Sequence, residues 1–346
     1  MPIERNCYAR GAAAAGALAL ASTLALGAAR AQDKAPDKIY VMKFTLPTLN
    51  DPSHLFAKNY AAALEKDSGG RIKTEIYPAS QLGAIPRQIE GTQFGAIQCA
   101  VIPPEFFVGV DERFEVMEAP GLVESAAQAQ RLTADPAVRK LVLGLGADKG
   151  LHGAGLFLNG LSSIIAKAPI RRLADFKGKK IRTLASKFQT EALDRLGATP
   201  VVMTLGDVIP AMQQGAIDGS VGSIVVYTPM HFQDAAKFVT EIGQPPVFAV
   251  AEISKKWYDA LPADLQKIVD DDAAAQAVAI NPHMIEIYNN SRKGWTDTGG
   301  ELISLPADEQ ATLMKSLAAV GADVSSAKPA LNDAYKIVAD AAQRAR

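Results

Sequence analysis

Cysteine is scarce. The chain has two, Cys7 and Cys99, in 346 residues, and Cys7 falls inside an N-terminal segment with the marks of an export leader. Arg5 and Arg10 precede an apolar, alanine-rich stretch from Gly11 to Ala29, and Ala29-Arg30-Ala31 stands before Gln32. A basic start, an apolar middle and a small-residue exit form the layout of a cleavable signal peptide, residues 1–31. An uncleaved membrane anchor is the alternative, and so weakly apolar a stretch suits it less well. Cys7 lies ahead of the apolar stretch, so it does not support a lipid-modified cysteine at a mature terminus. Cleavage leaves Cys99 alone, which excludes an intramolecular disulfide even in an oxidising compartment. Within GAIQCAVI, Cys99 reads as a small buried side chain.

An excess of charge of one sign is missing too. The 36 basic residues face 37 acidic ones, and losing Arg5, Arg10, Arg30 and Glu4 with the leader leaves 33 against 36, a net charge near −3. Nothing in that balance draws the chain to nucleic acid or to an anionic membrane. There is no G-x-S-x-G elbow, no H-E-x-x-H, no paired C-x-x-C and no Walker-type phosphate loop. The run GLGADKG (Gly144 to Gly150) imitates a dinucleotide fingerprint, but its last glycine is one place late and it follows a helical pattern; it reads as a helix terminus and loop. His54, His152, His231 and His283 are scattered without a second ligand at metal spacing. Asp270-Asp271-Asp272 reads as a solvated helix face, because consecutive helical carboxylates point in different directions. These absences argue against an enzyme, a metal site and a cofactor. A secreted hydrolase remains the catalytic alternative, which turnover of esters by the pure protein would revive.

What the chain does have is a repeated rhythm. KIYVMKFTL alternates as a strand, SHLFAKNYAAALEKDSGG carries helical spacing, RIKTEIYP alternates again, AIPRQIEGTQFG is helical and AIQCAVI returns to strand. From about Gly150 the pattern restarts: GAGLFLN as strand, LADFKG as a turn or short helix, KKIRTL as strand, KFQTEALDRLG as helix, TPVVMTL as strand, GDVIPAMQQG as helix and AIDGSVGSIV as strand. TQFGAIQCA (92–100) and MQQGAIDGS (212–220) fall at the same kind of helix-glycine-strand junction, which suggests two similar α/β domains in tandem. VFAVAEISKKWYDAL returns the chain to the first domain. Pro262 opens a long helix to about Trp295, long enough to lie across both domains, and Pro282 is expected to kink it. The last segments read as amphipathic helices.

Alternation of this type implies mostly parallel sheets whose ligands sit beyond the carboxyl ends of the strands. In DFKGKKIRTLAS (175–186), Arg182 stands at the carboxyl end of a strand, just before a helix starting near Ser186. A guanidinium there suits a carboxylate, which it can hold with two parallel hydrogen bonds. Spacing alone leaves the other reading open, a solvated cation like Lys179 and Lys180.

YPASQLG (Tyr77 to Gly83) with QIEGTQFGAI behind it, LADFKGKKIR (Leu173 to Arg182), LGATPVVM (Leu196 to Met203), AMQQGAIDG (Ala211 to Gly219) and SKKWYDALPADLQ follow one another in an order and spacing that resembles the DctP family, the periplasmic substrate-binding subunits of tripartite ATP-independent periplasmic (TRAP) transporters. The resemblance covers essentially the whole mature chain. It implies a two-domain periplasmic-binding-protein (Venus-flytrap) α/β fold with hinge strands and a long helix spanning both domains. The expected division is residues 32–156 with 247–290 as domain I and 157–246 with 291–346 as domain II. It further implies that Arg182 pairs with a substrate carboxylate, that no cofactor is needed, that the partners are a small carboxylate and the TRAP membrane permease, and that the protein acts as a periplasmic monomer. Where many members carry an asparagine after the GxxDG motif, this chain has Gly222, so the second contact is expected from Ser220, Ser223 or backbone N–H groups. Asn159-Gly160 is followed by Leu161, Ser162 and Ser163 instead of the arginine of sialic-acid-type members, which disfavours that ligand. Gln81, Glu90, Glu105, Phe106, Phe157, Asn159 and Tyr227 are further pocket candidates, with core packing the competing role for each aromatic. One cation against apolar walls would suit a monocarboxylate with an aromatic or branched body. A C4-dicarboxylate, a keto acid, or a sensor that presents its ligand to a receptor are the alternatives.

Overall fold

Short alternating runs between glycine- and proline-rich turns become eleven strands in the computed structural model, which describes residues 38–346. The expected leader, with Cys7, lies outside the described residues. The strands are β1 (Tyr40–Thr45), β2 (Ile72–Tyr77), β3 (Cys99–Ile102), β4 (Leu151–Gly160), β5 (Ser162–Ala166), β6 (Lys180–Thr183), β7 (Thr199–Val202), β8 (Gly219–Ser223), β9 (Phe238–Glu241), β10 (Val247–Ser254) and β11 (Glu301–Ser304). They form two sheets, ordered β2-β1-β3-β10-β4 and β11-β9-β5-β8-β6-β7. β1 pairs in parallel with β2 and β3, as the β-α-β-α-β rhythm requires, and β10 joins antiparallel to both β3 and β4. In the second sheet β6 is parallel to β7 and β8, while β5 is antiparallel to β8 and β9. Each sheet with its helices makes one lobe of a two-lobed α/β fold.

The two similar junctions take equivalent places. Gly95 and Gly215 both end a helix at positive φ, 87° and 74°. Ile97 N–H then bonds back to Gly91 O, and Ile217 N–H to Ala211 O. Both lead into strands, β3 and β8, that have a parallel neighbour on one side and an antiparallel one on the other. The left-handed backbone that ends each helix is one glycine adopts freely.

β10 is buried throughout because both its edges are paired and both its faces covered. Phe248 and Val250 enter a core that runs on to Ile164, Ile181 and Val221 of the second sheet. Ala249, Ala251 and Ile253 face the helix Pro52–Asp67 in a separate cluster with Phe44, Phe56 and Tyr60. Cys99 lies in that second cluster, free and buried. β4 keeps Phe157 to Gly160 in the first sheet, paired to β10 from Val247 to Ala249, so the chain passes between sheets at Leu161.

The helix Ala263–Asp297 contains Pro282 and remains helical on both sides of it. Its buried stripe, Leu265, Val269, Ala273, Ala277, Ile280, Met284, Ser291 and Trp295, keeps steps of three, four or seven, which hold one face. Leu265 to Ile280 pack in the first lobe's cluster and Trp295 in the second's, so this one helix spans both lobes. The helix Pro329–Arg344 packs on the helices Ala126–Ala134 and Pro136–Val142 and on the 3-10 turn Glu112–Glu118, all of which follow β3. No helix among the described residues is long and apolar enough to cross a membrane.

Asp270 departs from the expected solvated face. It accepts hydrogen bonds from Tyr258 Oη at 2.6 Å and pairs with His152 Nε2 at 2.7 Å, and the two rings stack with centroids 3.7 Å apart. Asp271 fits the expectation, paired with Lys267 at the surface. GLGADKG forms a single 3-10 turn, Ala147–Lys149, between left-handed Gly146 and Gly150.

Candidate ligand-binding site

Arg182 occupies β6 opposite Val201 of β7 and Ser220 of β8. Its strand neighbour Lys180 is exposed, whereas Arg182 is only 2% exposed. The guanidinium is fixed by two backbone carbonyls: Nε donates to Met203 O at 3.0 Å and Nη1 to Val221 O at 3.3 Å. Nη2 is buried and has no hydrogen-bond partner among the described residues. Burial pulls the arginine pKa down to about 10, with Tyr227 and Glu105 acting against that shift, so the group remains a cation at neutral pH. A buried donor on a fixed cation is costly unless something accepts from it, and this excludes the solvated-cation reading.

The cavity beside Arg182 lies where the carboxyl ends of β1, β3 and β6 converge, the position expected for ligands of open α/β sheets. It has a volume of about 50 Å³ and is lined by Pro47, Thr48, Ser53, Ile85, Val101, Pro103, Phe106, Asn159, Arg182, Leu184, Leu205, Val221, Gly222, Ser223, Val226, Tyr227 and Val247. Arg182 is the one charged side chain among these, and most of the remainder are apolar. Residues from both lobes contribute, so closing or opening them changes the cavity.

Six of the expected residues line it: Arg182, Gly222, Ser223, Asn159, Tyr227 and Phe106. Ser223 Oγ is buried without a partner among the described residues. Asn159 is already engaged. Its Oδ1 accepts from Ser53 N at 2.9 Å and Ser53 Oγ at 2.8 Å, and its Nδ2 donates to Asp51 Oδ2 at 3.2 Å. Asp51 in turn caps the helix Pro52–Asp67 by accepting from His54 N. Asn159 therefore fixes the end of β4 to a helix N-terminus at the cavity wall.

Tyr227 explains how Gly222 is accommodated. A Cβ at residue 222 would stand 2.8 Å from Tyr227 Oη and 3.0 Å from Cε1, so the tyrosine ring fills the space a longer side chain would need. The ring is fixed by its hydroxyl, within hydrogen-bonding reach of Ser163 O at 3.0 Å and Ser220 O at 2.9 Å. Gly222→Asn is expected to lose about 1–3 kcal/mol of stability through overpacking. In denaturant melts, Gly222→Asn combined with Tyr227→Ala should cost less than the two single changes added together; strict additivity would mean that the ring does not occupy that space.

Five expected residues lie off the cavity. Gln81 is exposed on the turn before the helix Ile85–Phe94. Glu90 is on that helix's outer face, 3.7 Å from Arg87, because the buried positions are Ile85, Gln88, Ile89 and Thr92. Phe157 points to the other side of β4 and stacks on Phe56, centroids 4.6 Å apart. Ser220 is buried with its hydroxyl on Val221 O at 3.1 Å. Glu105 is buried one residue before the cavity-lining Phe106 and lies against Glu118. Eleven lining residues fall outside the expected set: Pro47, Thr48, Ser53, Ile85, Val101, Pro103, Leu184, Leu205, Val221, Val226 and Val247; the available signal is that Pro47, Thr48 and Pro103 directly follow β1 and β3. Among the described residues no group of three or more His, Cys, Asp or Glu could hold a metal ion. A larger recess, about 270 Å³, sits at the crossing between sheets around Leu161, Ile242, Gln244 and Pro246. Gln244 there is spent on Gly121 N and Val123 O, and among the described residues no buried unpartnered polar atom lines it.

Two α/β lobes that share one cavity around a buried, incompletely bonded guanidinium define a two-lobed solute-binding protein. Residues 45–327 match the family of bacterial extracellular solute-binding proteins, family 7 (DctP), and the chain belongs to that family, the solute-binding proteins of TRAP transporters. It is 28% identical over 275 residues to the C4-dicarboxylate-binding periplasmic protein DctP of Rhodobacter capsulatus, covering 78% of this chain and 82% of that protein. It is 27% identical over 208 residues to the uncharacterised protein YiiZ of Salmonella typhimurium, covering 60% of this chain and 64% of that protein. In fold it is similar to a TRAP periplasmic solute-binding protein from Desulfovibrio salexigens with bound orotic acid, at a TM-score of 0.83 and 22% identity, covering 89% of this chain and all of that one.

Proposed function

We propose that this chain is the periplasmic solute-binding subunit of a TRAP transporter, which captures an organic acid through Arg182 and delivers it to a membrane permease. The observation that carries this reading is Arg182 Nη2, a buried cationic donor at the cavity without a partner among the described residues. A ligand carboxylate entering between open lobes would accept from it, with Ser223 Oγ as a neighbouring donor. Closure would then exclude water and strengthen the pair. The relatives' names support an acid: DctP of Rhodobacter capsulatus is named for C4-dicarboxylates.

The lining favours a monocarboxylate with an aromatic or branched body. Ile85, Val101, Leu184, Leu205, Val226 and Phe106 offer apolar contact. The described lining residues include no second cation for a second carboxylate.

The test is the melting temperature of residues 32–346 against a panel of aromatic, branched, keto, sugar and C4-dicarboxylic acids. Ligand at a thousand times its Kd adds about 4 kcal/mol, roughly 6 °C for a chain of this length. A shift confined to aromatic or branched monocarboxylates supports the full reading. A shift only with C4-dicarboxylates removes the ligand class and keeps the binding function. No shift with any acid, after unfolding and refolding to strip bound ligand, overturns carboxylate capture.

A further inference from the structure

The chain leaves β6 one residue after Arg182, passes Leu184 at the cavity wall and enters the helix Lys187–Arg195. Ser186 caps that helix, its Oγ accepting from Phe188 N at 3.1 Å. A serine cap with a glutamine three residues on is the capping-box pattern, in which the glutamine side chain turns back to the cap's own N–H. Gln189 reaches further. Its Oε1 accepts from Leu184 N at 3.1 Å and from Thr183 Oγ1 at 2.6 Å, so it holds the two residues that directly follow Arg182.

The other end of the same amide crosses to the first lobe. Gln189 Nε2 donates to Glu118 Oε2, on the 3-10 turn Glu112–Glu118 that follows β3. Glu115, three residues earlier on that turn, accepts from Lys187 N at 2.8 Å, at the positive end of the helix. Between these two contacts Phe188 enters the core that holds Phe114 and Val116 of the same turn. Gln189 and Glu118 are both buried, and the turn packs on Pro104–Phe107, which carries Phe106 of the cavity wall. A terminal amide can accept from the strand end and donate to a carboxylate at once; a glutamate would lack the donor and a leucine both.

We propose that Gln189 is the positioning residue of the carboxylate site: braced on Glu118, it fixes the end of β6 and with it the direction in which Arg182 presents its guanidinium. Its effect on the ligand passes through Arg182 and Leu184, since Gln189 itself does not line the cavity. Met203 O and Val221 O hold the guanidinium, and they hold it in one place only while the strand end beneath it is fixed. The inference rests on the reading of Arg182 as the carboxylate anchor, but the positioning can be measured without a ligand.

The experiment compares parent, Gln189→Leu, Glu118→Leu and Glu118→Gln proteins. Without ligand, nitrogen-15 NMR follows the Arg182 Nε–H proton, identified as the signal missing from Arg182→Lys. Losing the brace should speed its exchange with water by about fivefold or more in Gln189→Leu and Glu118→Leu, the factor that one hydrogen bond is worth. Calorimetric titration with the acid that gives the largest melting shift should show affinity lower by roughly ten- to a hundredfold in both, the range for residues that orient metal ligands. Glu118→Gln offers Gln189 the same oxygen and should recover what Glu118→Leu loses in both readouts. Exchange and affinity at the parent's values in Gln189→Leu, with only the melting point lowered, overturn the proposal, and so does a Glu118→Gln protein as weak as Glu118→Leu. If Gln189→Leu does not fold, Thr183→Val removes one of its contacts at nearly constant volume; unchanged exchange and affinity there overturn the proposal equally. A panel without any binding acid defeats the capture reading, and the exchange of Arg182 Nε–H then decides this one.

Discussion

Arg182→Ala is expected to weaken capture of the organic acid by roughly 30-fold to several thousandfold, the equivalent of about 2–5 kcal/mol for truncating one partner of a buried charge pair. The size of the effect follows from how the guanidinium is held. Met203 O and Val221 O fix Nε and Nη1, so Nη2 is presented in one orientation and the ligand meets little reorganisation. Arg182→Lys should lose much of the same affinity although it retains the charge, because an ammonium cannot satisfy both carbonyls and also present a planar edge. Calorimetric titration of parent, Ala and Lys variants with the acid found by melting shift is the measurement. Equal affinities in all three would remove Arg182 from the site. Melts of the ligand-free proteins guard against a trivial result, since Arg182→Ala also leaves two carbonyls without their donor.

Phe157→Ala is expected to lower stability by about 3–5 kcal/mol, the usual cost of emptying a buried aromatic position, and to leave affinity within a few-fold of the parent. Phe157 has no exposed surface. Its ring lies against Phe56, which touches Tyr60, which in turn meets Phe44 edge-on. The hole would therefore open in the first lobe's core, on the side of β4 away from Arg182. For a chain of this length the melting point should fall by roughly 5–8 °C. An affinity loss with an unchanged melting point would instead put Phe157 in contact with the ligand.

These two residues mark what the sequence made legible. The alternation of the first three strands with helices, the restart near Gly150, the two glycine junctions and the long helix all follow from local periodicity, which depends only on neighbouring residues. Arg182 was legible as a candidate from its position at a strand's carboxyl end, which by itself left a solvated cation open; the ligand role came from the family resemblance. Position within a motif does not fix which way a side chain faces. Glu90 sits inside a recognisable segment, yet Ile85, Gln88, Ile89 and Thr92 take the buried face of its helix. Phe157 and Leu158 are adjacent and enter different cores. The contact between Glu118 and Gln189 was the least visible, since the two are 71 residues apart and nothing local in either segment predicts that they meet. Gly222 was legible as a departure, but its compensation by the Tyr227 ring required the fold of the turn after β8.

The helix Ala263–Asp297 has a further consequence for how this chain can change. Its single buried stripe must remain in phase from Leu265 in one lobe to Trp295 in the other. Inserting or deleting one residue midway would rotate everything beyond it by about 100°, turning Trp295 out of its core while the first half stayed in place. Surface loops such as the turn at Gly69-Gly70 can vary in length, but this helix acts as a ruler: its sequence can drift while its residue count is held fixed.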